Sequence, residues 1–403
     1  MELRGDFIQK LAVLYLVVWT ISPPLGVDMI YRYLAILSVG VWGLIAIGRG
    51  YLKNQIRNVQ LYAVLFAAAV GVIAYVQHGD IDGILQQIAM YIMVISFLMN
   101  IFYQNGSWHE LKWIVPIVLI LLAVFNFRTA QVLISDPGLA RRIVRADADT
   151  YDYMRRGVGG YGLIYSQVCV FPALLVWIKS AFRNNKSCFA IGCVWLVTFF
   201  MNLLNAGYSI AVFTVCVSGL VLILYRRRSI AGAVILTVCI FVVFLDILLS
   251  WDSFREMLLA FFDGTKVAAK INDLVSSVET GTIEDSISSR ITAYSASFDI
   301  LLEYPIIGSL WHASGGGHSA VLDTIAKYGI LGGYMYIRML FYVPNVYKRY
   351  SSHPMVYRIS NAVIIATLLV SMLNTIPYNI MCMILLVLPL LYEDIIKWER
   401  IEA

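Results

Sequence analysis

Charge is what this chain has least of. Asp, Glu, Lys and Arg make up 14% of its 403 residues, against about 25% in an ordinary soluble domain. So little polar surface excludes a soluble enzyme, and it equally excludes a disordered chain. Cysteine is scarce too, with six residues at 169, 188, 193, 216, 239 and 382, all in or beside apolar stretches. None has metal-ligand spacing and no pair sits in a large exported loop, so they read as small buried hydrophobes. The net charge of +5 is spread between apolar segments without a groove-sized patch, and a nucleic-acid partner is not expected. No small-x-small exit follows the first apolar segment, which runs into Pro23-Pro24, and a cleavable signal peptide is not expected either.

Apolar residues fill the space that charge leaves. The hydrophobic set accounts for 60% of the chain, more than one core can hide from water, so the solvent is lipid. Alternation in segments of about 10 residues, the mark of an outer-membrane barrel, is missing. A helix needs about 20 apolar residues to cross the hydrocarbon. Segments of that kind fall at 8–24, 29–48, 59–77, 84–103, 111–131, 160–179, 188–205, 208–225, 229–249, 319–344, 359–374 and 377–393. The expectation is an all-α, polytopic membrane protein with about twelve transmembrane helices in a single domain, 1–403. Lys and Arg punctuate alternate connections, and those at 25–28, 78–83 and 206–207 have none, which places both termini in the cytoplasm.

Two long connections, 132–159 and 250–318, then face outward, and loops of such length are usually functional. In the second, Val267, Ile271, Leu274 and Val278 recur at helical spacing. A further amphipathic helix is expected over Ser286 to Leu302, with Ile287, Ile291, Tyr294, Phe298 and Leu301 on one face and Tyr304-Pro305 ending it. Gly315-Gly316-Gly317-His318 follows, directly before an apolar segment. Three glycines suit a tight turn or a close approach to a ligand, and a helix N-terminus favours an anion. His318 carries the side chain best suited to proton transfer near neutral pH. The plain reading, a loop histidine beside flexible glycines that cap a helix, fits the same residues.

The first long connection closes with Arg155-Arg156-Gly-Val-Gly-Gly160-Tyr161. Paired guanidiniums match phosphate oxygens, and headgroup anchoring would use them equally well. Arg128, near the outer end of an apolar segment, can join the same site. Asp147, Asp149 and Asp152 sit among arginines that would pair with them, so no metal site is expected.

These residues carry a resemblance. Arg290-Ile-Thr-Ala-Tyr-Ser-Ala-Ser-Phe-Asp-Ile-Leu-Leu-Glu303-Tyr-Pro305-Ile-Ile-Gly308, continuing through Gly317-His318 and Asp323 to Gly329-Ile-Leu-Gly332, resembles the bacterial O-antigen polymerase family. That family shares a superfamily with the O-antigen ligases. Arg156-Gly157 and Gly159-Gly-Tyr161 are similar to the segment that closes its first outer loop. The sequence departs from many relatives at Ser319, where they have Asn, and at Asn205-Ala-Gly-Tyr-Ser209, where they carry a Ser-Arg pair.

The resemblance implies a metal-independent glycosyltransferase without a cofactor, multi-pass in the bacterial inner membrane, with a periplasmic active site. It would move a growing glycan from undecaprenyl diphosphate to a new undecaprenyl-diphosphate-linked repeat unit, alongside a chain-length regulator of the co-polymerase type. His318, Arg290 and Arg156 would be catalytic, and Arg156, Arg290, Arg155 and Arg128 would bind diphosphate. The rival readings are an O-antigen ligase, which differs in acceptor, and a lipid-linked oligosaccharide flippase, which would need charges along its spans.

Overall fold

The computed structural model describes residues 2–49, 68–73, 75–76, 108–136, 139–145, 149–250, 252–261, 272, 285–310, 315–351 and 353–401. Every regular element among them is helical, so the chain is an all-α, multi-pass membrane protein. The lipid-facing surface follows from composition: Leu37, Leu44, Val194, Val197 and Ile235 are exposed along otherwise apolar helices, as expected where the surroundings are hydrocarbon.

The expected count of about twelve spans is corrected here. Six helices among the described residues are long and apolar enough to cross a membrane: Met29–Gly48, Ile114–Ser135, Tyr161–Asn184, Lys186–Ala206, Pro354–Leu373 and Asn379–Trp398. Segment 84–103 lies outside the described residues, and of 59–77 only 68–73 and 75–76 are described. Of the other four, three fail on charge, length or a break in the helix, and in the fourth the side chains of 244–250 lie outside the described residues. Helix Glu2–Ile21 opens with Asp6 and Lys10, and Ser209–Leu224 has only 16 residues. Helix Ile230–Ser250 is described as an apolar run only over Ile230–Val243. Helix Ala320–Leu340 carries Asp323, Lys327 and Arg338 and loses helical geometry at Gly329, where φ is 66°.

That break is built from a second segment. Ile330 N–H donates to the Pro305 carbonyl and Leu310 N–H to the Lys327 carbonyl, both at 2.9 Å, while Ser309 N–H reaches the Ala326 carbonyl at 3.0 Å. Gly308 and Gly329 meet backbone to backbone, so that a Cβ on Gly329 would lie 2.1 Å from the Ile306 carbonyl oxygen. The Pro305–Gly308 and Gly329–Gly332 motifs are thus two halves of one joint. Irregular backbone inside an apolar bundle survives only when its polar groups are paired in this way.

Helix Tyr161–Asn184 is the hub, packing on Lys186–Ala206, Ser209–Leu224, Pro354–Leu373 and the last helix. A buried amide network pins it. Asn126 and Gln167 exchange hydrogen bonds at 2.8 and 3.0 Å, Trp195 Nε1 donates to Gln167 Oε1 at 2.7 Å, and Asn202 donates to Asn126 at 3.1 Å. With no water to compete, such bonds fix the register of three helices at once.

The amphipathic helix expected over 286–302 is present as Asp285–Glu303. Its large apolar residues face outward, with Ile291, Phe298 and Leu302 exposed, while the small residue Ser297 is buried against the bundle. The 265–278 helix lies outside the described residues, as do Asp147 and, in the first long connection, residues 137–138.

Candidate functional site

Two glycine-containing turns approach the end of helix Pro354–Leu373. The first follows helix Thr150–Arg155. Its amides are spent locally: Gly157 N–H bonds the Met154 carbonyl at 2.9 Å, Val158 N–H bonds the Tyr153 carbonyl at 3.0 Å, and Gly159 N–H reaches Thr129 Oγ1 at 2.8 Å. Gly157 takes a φ of 88° and lies against the Phe125 ring and the Arg128 chain, a conformation that glycine adopts freely. Arg128 Nη1 donates to the Arg156 carbonyl at 2.9 Å. The turn delivers Tyr161, whose hydroxyl donates to the Thr375 carbonyl at 2.7 Å.

The second turn, Gly315–Gly317, packs flat on helix Asp285–Glu303. A Cβ on Gly316 would lie 2.1 Å from the Ala293 carbonyl oxygen, whereas one on Gly317 would meet open space. Gly316 N–H donates to Ser297 Oγ at 2.8 Å, and that hydroxyl donates to Asp323 Oδ1 at 2.6 Å. Ser319 caps the following helix: its Oγ accepts from Leu322 N–H at 3.2 Å, and its own N–H donates to Asp323 Oδ2 at 3.1 Å. Ala320 N–H reaches the Asn374 carbonyl at 2.9 Å. The helix N-terminus expected to receive an anion therefore has an internal cap and a carboxylate at it, an arrangement that satisfies amides and opposes a second negative charge.

Both turns thereby lean on Ser371–Thr375. Arg290 Nη1 donates to the Leu373 carbonyl at 2.8 Å, Tyr294 points its hydroxyl to the same oxygen at 3.4 Å, and Ser319 Oγ reaches the Ser371 carbonyl at 3.3 Å. A cation on the last carbonyls of a helix is stabilised by the dipole. Asn374 Nδ2 donates to the Tyr165 hydroxyl at 3.4 Å; Tyr161 stacks on Tyr165 with centroids 4.2 Å apart, and Tyr208 meets Tyr161 edge-on at 6.0 Å. His318 is half-buried between Gly317 and Ser319, one residue from this junction.

Charge partners separate the arginines. Arg155 is paired with Asp28 at 2.9 Å and Asp152 at 3.5 Å, and Arg142 with Asp136 at 2.5 Å and Asp149 at 3.5 Å. Those carboxylates hold both guanidiniums more firmly protonated, with the hydrogen bonds to Asp28 and Asp136 as the largest causes. Arg128, Arg156 and Arg290 meet no carboxylate among the described residues, and the Arg156 guanidinium has no hydrogen-bond partner there at all.

Thus Arg290 and the His318 segment meet at one helix end, and Arg156 and Arg128 meet at the neighbouring turn. No hydrogen bond among the described residues links the two pairs directly. Sequence reasoning missed Tyr165, Tyr208, Ser297 and Asn374. Asn374 had a signal, since it precedes Pro377 at the end of an apolar run; Ser297 had none.

No model of a protein family matches the chain, and no curated protein does.

Proposed function

We propose that this chain is an O-antigen polymerase acting at the outer face of the bacterial inner membrane. The observation that carries the reading is the pair of guanidiniums that meet no carboxylate among the described residues: Arg156, at the turn whose Tyr161 reaches Thr375, and Arg290, on helix Asp285–Glu303, which holds the Leu373 carbonyl. A diphosphate leaving group needs cations more than it needs a general acid, and preorganised cations cost no reorganisation as charge develops.

The growing glycan would enter as the donor on undecaprenyl diphosphate. The bond between its reducing-end sugar and the diphosphate breaks as a hydroxyl of the incoming lipid-linked repeat unit attacks, and undecaprenyl diphosphate departs on Arg156 and Arg290. His318 takes or orients the hydroxyl proton. Arg155, neutralised by Asp28, contributes little, and Arg128 supports the Arg156 backbone. Chain length would be set with a co-polymerase partner.

Purified protein with a single lipid-linked repeat unit tests this reading. A ladder of products spaced by one repeat, lost in Arg290→Ala and His318→Ala while both variants stay folded, supports it. An unchanged repeat unit overturns it, and transfer of one glycan to lipid A–core would install the ligase reading instead.

A further inference from the structure

A groove lies on the outside of the bundle, independent of the junction at Leu373–Thr375. Helices Ile114–Ser135 and Lys186–Ala206 form the most extensive pair among the described residues. Between Ile120 and Arg128 on one and Ala190 and Thr198 on the other, they leave a cavity of about 590 Å³. Its length along the first helix is about 12 Å, eight residues at the helical rise.

The walls are apolar, with Ile120, Val124, Phe127 and Val194 each 43–58% exposed, so the groove opens sideways onto the bilayer. Thr198 turns its hydroxyl back onto the Val194 and Trp195 carbonyls, both at 3.0 Å. That leaves Arg128, at one end, as the polar feature. It stands about 10 Å below the end of its helix at Ser135, again by the helical rise. Its Nη1 holds the Arg156 carbonyl at 2.9 Å, and no carboxylate among the described residues meets it.

A guanidinium at that depth calls for an anion that arrives through the lipid phase. A soluble anion would leave the apolar walls uncovered. One cation at the end of an apolar groove matches a head of one net negative charge above hydrocarbon. We propose that the groove binds an acyl chain of an anionic phospholipid, with the lipid phosphate on Arg128. Because the same guanidinium holds the Arg156 carbonyl, a bound lipid would also steady the Gly157–Gly160 turn.

The test is lipid retention by the full-length protein, followed by native mass spectrometry after delipidation and titration. Probes are phosphatidylglycerol, phosphatidylcholine, inorganic phosphate and a polyprenyl diphosphate. Phosphatidylglycerol is expected to bind one per chain and about tenfold more tightly than phosphatidylcholine, the worth of one charge-assisted contact. Arg128→Gln should remove that preference. Ala190→Trp, at an exposed lipid-facing position, should remove binding while leaving Arg128 in place and the fold intact. Equal retention of the two phospholipids, unchanged retention in Ala190→Trp, or displacement by inorganic phosphate would each overturn the proposal. So would preferential capture of the polyprenyl diphosphate, which would make the groove a donor site. Because the readout is binding, the result is independent of whether the chain polymerises glycans.

Discussion

The turns at Gly157–Gly160 and Gly315–Gly317 look alike in sequence: glycines, a polar neighbour, then an apolar helix. Folded, they differ in charge. Both spend their amides on nearby acceptors, Thr129 for the first and Ser297 for the second. What remains at the first is cationic, with Arg128 and Arg156 meeting no carboxylate among the described residues. What remains at the second is Asp323, accepting from Ser297 and Ser319. A glycine-rich turn before a helix is therefore no anion site in itself. The side chains that the turn brings together decide, and here the acidic turn serves as a brace while the basic turn is left free for a ligand.

Removing the charge of the first turn should break this contrast most sharply. Arg156→Ala is expected to cut turnover by about 10²–10³-fold, as loss of one preorganised donor to developing charge does, with melting temperature unchanged; single-turnover assays on lipid-linked repeats check it. Packing matters more at the second turn. Gly316→Ala forces a Cβ onto the Ala293 carbonyl and should destabilise the protein by about 2–3 kcal/mol, as overpacking does, seen as a lowered melting temperature in detergent. Asp323→Ala removes two hydrogen bonds at the cap and should cost about 1–2 kcal/mol, measured the same way; Asp323→Asn should recover part of it. Smallest of all, Arg155→Ala deletes an exposed, solvent-screened pair with Asp28, and should leave stability and turnover nearly unchanged. A large activity loss there, with Arg156→Ala silent, would exchange the roles of the two arginines.

Much of the frame was legible. Helix Met29–Gly48 coincides with its expected limits, and Asp285–Glu303 matches its expected limits to within a residue at each end, because the apolar period and Tyr304-Pro305 act locally. The span count was not legible, because where each helix ends or breaks is set by the fold: Ser209–Leu224 stops at 16 residues, and Ala320–Leu340 breaks at Gly329 on carbonyls from Pro305 and Ile306. Choosing between Arg155 and Arg156 was equally out of reach. They are neighbours in the chain, and Asp28, 127 residues away, neutralises one of them. The arginines and His318 could be picked out by residue type, but the Leu373–Thr375 junction that gathers Arg290 and the flanks of the two turns is a product of packing between distant segments.

Binding of undecaprenyl diphosphate to wild type, Arg156→Ala and Gly317→Ala tests the contrast most directly. Gly317 faces open space but holds a φ of 77°, so its alanine variant strains the second turn without blocking a neighbour. A loss of about tenfold or more in affinity for Arg156→Ala, with Gly317→Ala close to wild type, is the predicted result. Loss of affinity in Gly317→Ala with Arg156→Ala unaffected would contradict it, placing the diphosphate at the glycine turn.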